Sequence, residues 1–190
     1  MIRAIRLLLL ALCVSMAGCA GTIQRESTHG VKTIEGATYK SVDVVMSESA
    51  KSLLNDNPQF SSQSQFSPLE LGDNVRRRLD AAKLMNPNSK HRVEVTVESF
   101  KVRDTLAAVA FQFLAGTDYI DGYVRVLDES GKQLHAYKVS ATYSMGGVAG
   151  SMDSMRMNWM YDKFGELTAA ELAGTTEAGS VTPGAATAKP

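Results

Sequence analysis

The N-terminal leader, residues 1–18, decides how much of this chain is available to fold. Arg3 and Arg6 precede an apolar run over residues 7–14, and the small residues Ala17 and Gly18 follow it. A basic start, a short apolar core and a small-residue cleavage site are typical of a secretory signal. The run is also too short to span a bilayer as a helix. We therefore expect residues 1–18 to be removed as a signal peptide before the rest folds.

The residue that follows the small residues is Cys19. This arrangement resembles a bacterial lipoprotein signal, which implies that the Cys19 sulfur carries diacylglycerol and that its new amino group is acylated. Membrane lipid would then be a partner of the chain, because several acyl chains together make attachment durable. The alternative is an ordinary secretory signal with an incidental cysteine.

Cysteine and charge content exclude several classes of protein. The only cysteines are Cys13, inside the leader, and Cys19, so the folded part has no thiol for a disulfide, a thiolate metal site or a nucleophile. The chain has 20 basic and 20 acidic residues, and the leader removes two basic ones. Near neutrality argues against a nucleic-acid partner, which requires a concentrated basic surface.

Composition divides the remainder into three parts. Residues 19–38 are polar and small, which predicts a lipidated N-terminus followed by a flexible tether. Residues 39–174 carry the periodic patterns of a folded domain, and residues 175–190, rich in Ala, Gly, Thr and Pro, are expected to be disordered.

The first half of the domain contains a strand and a helix with a clear start signal. Residues 39–47 suggest a strand with Val42 and Val44 on one side, followed by a connection with a short helical turn at 49–54. Ser67-Pro68-Leu69-Glu70 is a capping box with proline at the first helical position. It predicts a helix to about residue 85 whose core positions are Leu71, Val75, Leu79 and Ala82.

The second half predicts three strands and a closing helix. Residues 92–102 alternate with a change of parity that suggests either a bulge near Ser99 or a strand end that is buried on its other side. Residues 119–128 and 132–144 form a hairpin, and residues 151–173 a helix that ends at Gly174. Between the strand 92–102 and the hairpin, the apolar run 106–114 is favoured as buried, with an exposed docking patch as the alternative. The expected core positions of the last helix are Met152, Met155, Trp159, Phe164 and Leu167, with Met157 partly exposed.

The order strand-helix-strand-strand-strand-helix predicts an α+β domain. We expect a mainly antiparallel sheet of about four strands with two main helices packed on one face. Arg103, the apolar run to Gly116, the turn segment 126–132, the glycine-rich link and the closing helix together resemble an uncharacterised family of Gram-negative envelope lipoproteins. The resemblance covers residues 39–174. It implies a periplasm-facing domain of unknown function, with no catalytic residues to carry over.

Ala20 bears on which membrane such a lipoprotein would occupy. Many lipoproteins kept at the inner membrane have Asp after the lipidated cysteine, whereas Ala20 resembles the pattern sent to the outer membrane. We therefore expect a lipid-anchored protein of the outer membrane that faces the periplasm.

A glycine-rich link offers the one weak candidate for a ligand site. Gly146, Gly147 and Gly150 stand between a strand and a helix, where free amides could hold an anion. The link lacks the Lys and Ser/Thr of a phosphate-binding loop and the full glycine spacing of a dinucleotide fingerprint, so a flexible turn is the favoured interpretation.

No other pattern indicates chemistry. The histidines His29, His91 and His135 are scattered without metal-ligand spacing, and Asp118 and Asp121 should face opposite sides of a strand. We expect no metal, no cofactor and no enzyme activity, but a periplasmic binding or accessory module whose partner is another envelope protein. The alternative is a small-ligand binder or enzyme that uses loop 146–150.

Overall fold

The computed structural model describes residues 20–25, 36–56, 66–103, 116–144 and 153–174. The described residues form an α+β domain with one sheet. Its elements in chain order are β1 Ala20–Arg25, β2 Val42–Met46, α1 Glu48–Asp56, α2 Pro68–Ala81, β3 Arg92–Lys101, β4 Asp118–Leu127, β5 Gln133–Tyr143 and α3 Asp153–Leu172.

The sheet has the strand order β1-β5-β4-β3-β2. Every neighbouring pair is antiparallel except β2 and β3, which run parallel. The predicted hairpin is confirmed, and so is the bulge, which lies between Val97 and Ser99. The bulge shifts the alternation of buried and exposed residues by one position, so Phe100 faces the core. Its ring stacks on that of Phe66, with 4.5 Å between the ring centroids.

β1 is the strand that the sequence did not predict. Residues 20–25 were expected to belong to the tether, but they pair with β5 over their whole length, from Ala20 opposite Thr142 to Arg25 opposite Tyr137. Ile23 is the one strongly apolar residue of this segment and is fully buried. One apolar residue gives too weak an alternation to signal a strand, and the hydrogen bonds come from a partner far along the chain.

The predicted N-cap of α2 is confirmed, but only one half of the capping box forms, because the Ser67 amide donates to the Tyr161 hydroxyl at 2.7 Å. The Ser67 hydroxyl accepts a hydrogen bond from the Glu70 amide at 3.2 Å, and Leu71, Val75 and Leu79 are buried as expected. The helix ends at Ala81, earlier than predicted, and Ala82 is exposed rather than in the core. The chain turns away here because Lys83 has a φ of 60° and its amide bonds back to the Asp80 carbonyl.

α3 confirms its predicted end but not all of its predicted core. Gly174 follows it with a φ of 70°, and Phe164 and Leu167 are buried. Met155 is 56% exposed whereas Met157 is buried, which reverses the expectation for these two residues. The buried stripe starts at residues 156 and 157 and recurs every three or four residues, so Met155 falls outside it. Met152 lies outside the described residues.

Both long helices cover the same face of the sheet. A Cβ on Gly122 of β4 would lie 3.2 Å from the Phe164 ring of α3, and one on Gly72 of α2 would lie 3.1 Å from Val44 of β2. Glycine at these two positions therefore lets the helices approach the strands closely. A third helix, α1, follows β2, longer than the predicted turn, and buries Ala50.

Candidate functional site

The residues predicted to carry chemistry connect to one end of the sheet. Four of these residues lie outside the described residues: Cys19, Gly146, Gly147 and Gly150. The described residues nearest to them in the chain show which end of the sheet they adjoin. Ala20 pairs with Thr142, and Asp118 pairs with Tyr143, so the starts of β1 and β4 lie beside the end of β5. We call this the Ala20 end. The β4–β5 turn at residues 128–132 marks the opposite, turn end.

A buried ionic cluster closes the Ala20 end. The Arg103 guanidinium donates to both Asp118 oxygens, Nε to Oδ1 at 3.2 Å and Nη2 to Oδ2 at 2.9 Å. Arg156 donates from Nη1 to Asp118 Oδ2 at 3.1 Å and from Nη2 to the Arg103 carbonyl at 3.0 Å. All three side chains are almost entirely buried. The Asp118 carboxylate therefore forms ion pairs with two guanidinium groups in a position shielded from water.

The same cluster fixes the ends of the chain around it. The Arg103 amide donates to Asp118 Oδ1 at 2.6 Å, and Arg103 Nη1 donates to the Gly116 carbonyl at 2.9 Å. Arg103 and Gly116 are therefore held next to each other. Breaking a buried pair by removing one partner is strongly destabilising, so the cluster determines where these segments meet.

A second charged cluster holds β1 against α3. Arg25 donates from Nε to Glu171 Oε1 at 2.6 Å and from Nη2 to Oε2 at 2.7 Å, a bidentate pair. Glu171 is buried, whereas the Arg25 side chain is 44% exposed. Hydrogen bonding with Glu171 raises the pKa of Arg25, so the guanidinium stays charged. Together with Ile23, this pair makes β1 a fixed part of the domain.

Tyr137 and His135 of β5 border the Glu171 cluster. The His135 Nε2 atom lies 3.5 Å from Glu171 Oε1, and Tyr137 donates to the Thr168 carbonyl at 3.3 Å. Burial, with the nearby Glu171 charge, raises the pKa of Tyr137 well above its usual value near 10. His135 is thus a buried residue of the sheet.

The face of the sheet opposite α2 and α3 is polar and ion-paired. Arg125 donates to Glu94 at 2.5 Å, and Lys138 lies 2.9 Å from Glu98, which raises the pKa of that lysine. Asp121 is on this face whereas Asp118 is on the other, so the predicted opposition of the two carboxylates is confirmed. A shallow depression of about 210 Å³ is lined by Thr22, Gln24, Asp121, Lys138 and Ser140.

The described acidic and histidine side chains do not converge as metal-binding sets do. In the described ranges, no three His, Cys, Asp or Glu side chains come together to hold a metal ion. A groove of about 470 Å³ between β2 and α2 is lined by Val42, Val44, Leu69 and Gly72 among others, and its charged lining residues are Asp43, Asp73 and Arg76. It contains no histidine or cysteine among its lining residues, and Asp73 is ion-paired with Arg76 at 3.2 Å.

Sequence reasoning missed the two charged clusters, although each left a signal. Asp118 has the same parity as Ile120 and Val124, which are core residues of β4. Arg156 precedes Met160 by four residues on the buried stripe of α3, and Glu171 extends that stripe at its other end. A charged residue at a core position of a pattern indicates a buried pair, but it does not identify the partner.

The described residues thus form an α+β domain in which an ion pair joins the strand β1 to the helix α3. No protein-family model and no curated protein sequence matches the chain. Helices among the described residues include none that is both long and apolar enough to cross a membrane.

Solved structures give distant likenesses. A variant of the PelC dodecamer from Paraburkholderia phytofirmans matches with a TM-score of 0.40 and 14% identity over 77% of this chain and 96% of that one. PelC in a second crystal form gives 0.36 and 12% over 76% and 98%. A minor lipoprotein from Acinetobacter baumannii gives 0.43 and 14% over 72% and 94%. At such TM-scores, function has to be argued from this chain's own residues.

Proposed function

We propose that this protein is a bacterial envelope lipoprotein, anchored by acyl chains on Cys19 and serving as a noncatalytic binding or accessory module. The observation that carries the proposal is the position of Cys19 relative to the fold. The leader ends at Gly18, and β1 begins at Ala20, one residue beyond the cysteine. Removal of residues 1–18 therefore leaves every described element intact. It also puts the acylated residue immediately before the first residue of β1.

The proposed location is the outer membrane, with the domain facing the periplasm. Ala20 after the cysteine supports this location, because it differs from the Asp that holds many lipoproteins at the inner membrane. A thiol-free domain suits an oxidising compartment, since no cysteine is left to react there.

The charged groups of the domain support a binding role over catalysis. Asp118 is occupied by two arginines, Glu171 by Arg25, and Glu94 by Arg125. A general acid or base has to be within reach of a substrate, whereas these carboxylates are held by structural partners. We therefore propose that the domain acts through its surface, on another component of the envelope.

Metabolic labelling with a palmitate analogue tests the anchor. The wild-type chain should incorporate the label and sediment with membranes, whereas Cys19→Ser should lose both properties and stay folded, because no described contact involves residue 19. Cys13→Ser, in the leader, is the matched control and should label normally. Membrane retention of Cys19→Ser equal to the wild type would refute the anchor.

Crosslinking in intact envelopes tests the binding role. We expect reproducible capture of one or a few envelope proteins by the wild type. A large, saturable rise in melting temperature with one metabolite, without any captured protein, would instead support the ligand-binding alternative at loop 146–150.

A further inference from the structure

The structure leaves no room for the flexible tether that the sequence predicts between lipid and domain. Consecutive Cα atoms are about 3.8 Å apart across a peptide bond, so Cys19 is that close to the first residue of β1. β1 is fixed by its six-residue register with β5, by buried Ile23 and by the Arg25–Glu171 pair. An acyl chain on Cys19 is therefore joined to a rigid part of the fold.

A rigid attachment gives the domain an orientation. Ala20 belongs to the end of the sheet that also holds Asp118 and Tyr143, whereas the β4–β5 turn is at the other end. A strand rises by about 3.3 Å per residue, so the ten residues of β4 separate the two ends by roughly 30 Å. Anchoring at residue 19 brings the first end to the bilayer and holds the second away from it.

Exposed apolar side chains are found at the Ala20 end. Met155, 56% exposed, lies in the first turn of α3 beside Arg156, which contacts Asp118. Leu69, 75% exposed, lies in the first turn of α2. That turn is also near this end, since Phe66 stacks on Phe100, which pairs with Ile120 near the start of β4.

The turn end has the opposite character. In the β4–β5 turn, Glu129, Ser130 and Lys132 are exposed, and Asp128 accepts hydrogen bonds from the Ser130 and Lys132 amides. The four exposed large hydrophobic residues of the described chain are Val45, Leu53, Leu69 and Met155, and none belongs to that turn. A polar outer end and an apolar inner end fit a domain that rests on a lipid surface.

We propose that the Ala20 end lies directly on the bilayer that holds the acyl chains, with Met155 and Leu69 in contact with lipid. The proposal rests on the lipidation of Cys19 proposed above. It assigns the turn end and the polar sheet face, rather than the Ala20 end, to contacts with other envelope components.

Spin labels on the full, acylated chain test this orientation. The mature protein has no thiol other than Cys19, so Met155→Cys and Leu69→Cys each create a single labelling site, and Ser130→Cys at the turn end is the matched control. The protein is reconstituted in vesicles of phosphatidylethanolamine and phosphatidylglycerol. Access of each label to oxygen, which concentrates in lipid, is compared with access to a water-soluble nickel chelate.

We expect a several-fold higher ratio of oxygen to nickel access at positions 155 and 69 than at 130. Equal ratios in protein that floats with the vesicles would overturn the orientation but leave the anchor intact. Failure of the wild type to acylate and float would refute the anchor itself. If the labels at positions 155 and 69 became less accessible to nickel as the protein density in the vesicles rose, this would indicate contact between copies. That result would also overturn the proposal.

A linker variant separates orientation from anchoring. Ten Gly and Ser residues inserted between Cys19 and Ala20 span roughly 17 Å on average. This variant should float as the wild type does but lose the excess of oxygen access at position 155. An unchanged ratio would show that the short attachment does not orient the domain. Unchanged thermal melting of each variant confirms that the fold is retained.

Discussion

α3 carries one charged residue near each end of its buried stripe, and the two are neutralised in different ways. Arg156, in the first turn, meets Asp118 and Arg103 in a cluster sealed from water. Glu171, in the last turn, meets Arg25, whose side chain is 44% exposed. The first cluster fastens α3 to β3 and β4, and the second fastens it to β1.

Each of these helix charges has the sign that the helix dipole disfavours. A cation is unfavourable near a helix N-terminus and an anion near a C-terminus, whereas the partners Asp118 and Arg25 have the favoured signs. The charges on α3 therefore depend on their partners from the sheet. Because the first cluster is sealed and the second is open, the two should differ in their response to mutation, pH and salt.

The largest difference should follow from Asp118→Asn. This change removes the carboxylate that Arg103 and Arg156 share and should lower the free energy of unfolding by about 3–5 kcal/mol, measured by denaturant titration. Asp121→Asn, three residues along the same strand on the polar face, should cost under about 1 kcal/mol. Equal costs would show that the cluster is not sealed.

Glu171→Gln should have a smaller effect. We expect a loss of about 2 kcal/mol, because the bidentate bonds are lost but the half-exposed Arg25 side chain can turn to water. Glu166→Gln is the control, because Glu166 is an exposed residue of the same helix that pairs with Lys163, and this change should alter stability by a few tenths of a kcal/mol. A cost as large as that of Asp118→Asn would remove the distinction between the clusters.

Alkaline pH should act through buried Tyr137. Burial raises the pKa of Tyr137 well above 10, while the unfolded phenol ionises near 10. The stabilisation is therefore complete below pH 10 and is lost above it, by about 1.4 kcal/mol per pH unit for this residue. Tyr137→Phe should flatten the decline, whereas Tyr119→Phe on the polar face should not. Tyr39, whose pKa burial raises to about 12, adds to the same window and remains in both variants.

Salt should have the smallest effect, confined to the open cluster. Raising ionic strength from 0.1 to 1 M shortens the Debye length from about 10 to about 3 Å, which weakens the Arg25–Glu171 attraction by up to about 0.5 kcal/mol. Hydrogen exchange of the Ile23 and Gln24 amides should accelerate by about twofold, while that of Ile120 stays constant. Equal acceleration in both strands would contradict the contrast.

Much of the fold was predictable because its signals are local. The alternation around Val93, Val95 and Val97, the N-cap at Ser67 and the glycine at 174 each act within a few residues. β3, the start of α2 and the end of α3 formed where expected, whereas α2 ends earlier than predicted. The fifth strand was not predictable, because β1 depends on the unpaired edge of β5, more than a hundred residues away. The same holds for Met155 and Met157, whose places depend on how α3 is rotated against the sheet.

The site was predictable only in part. The lipidation of Cys19 is a local pattern, and its test is chemical labelling. Where that residue attaches to the fold is not local, since the pairing of Ala20 with Thr142 decides it. The charged clusters likewise combine residues from separate strands and from α3, and no spacing along the chain reveals that Arg103 and Arg156 share Asp118.

By itself, the sequence determined the α+β class and most element positions, and it predicts the leader and a thiol-free domain, because these follow from composition and short-range periodicity. Only the tertiary structure decided that residues 20–25 are an edge strand instead of a tether and that both ends of α3 are held by ion pairs. The physical reason is that strand pairing and buried charge neutralisation join residues that are distant in the chain. These interactions therefore contribute to stability only once the domain has folded.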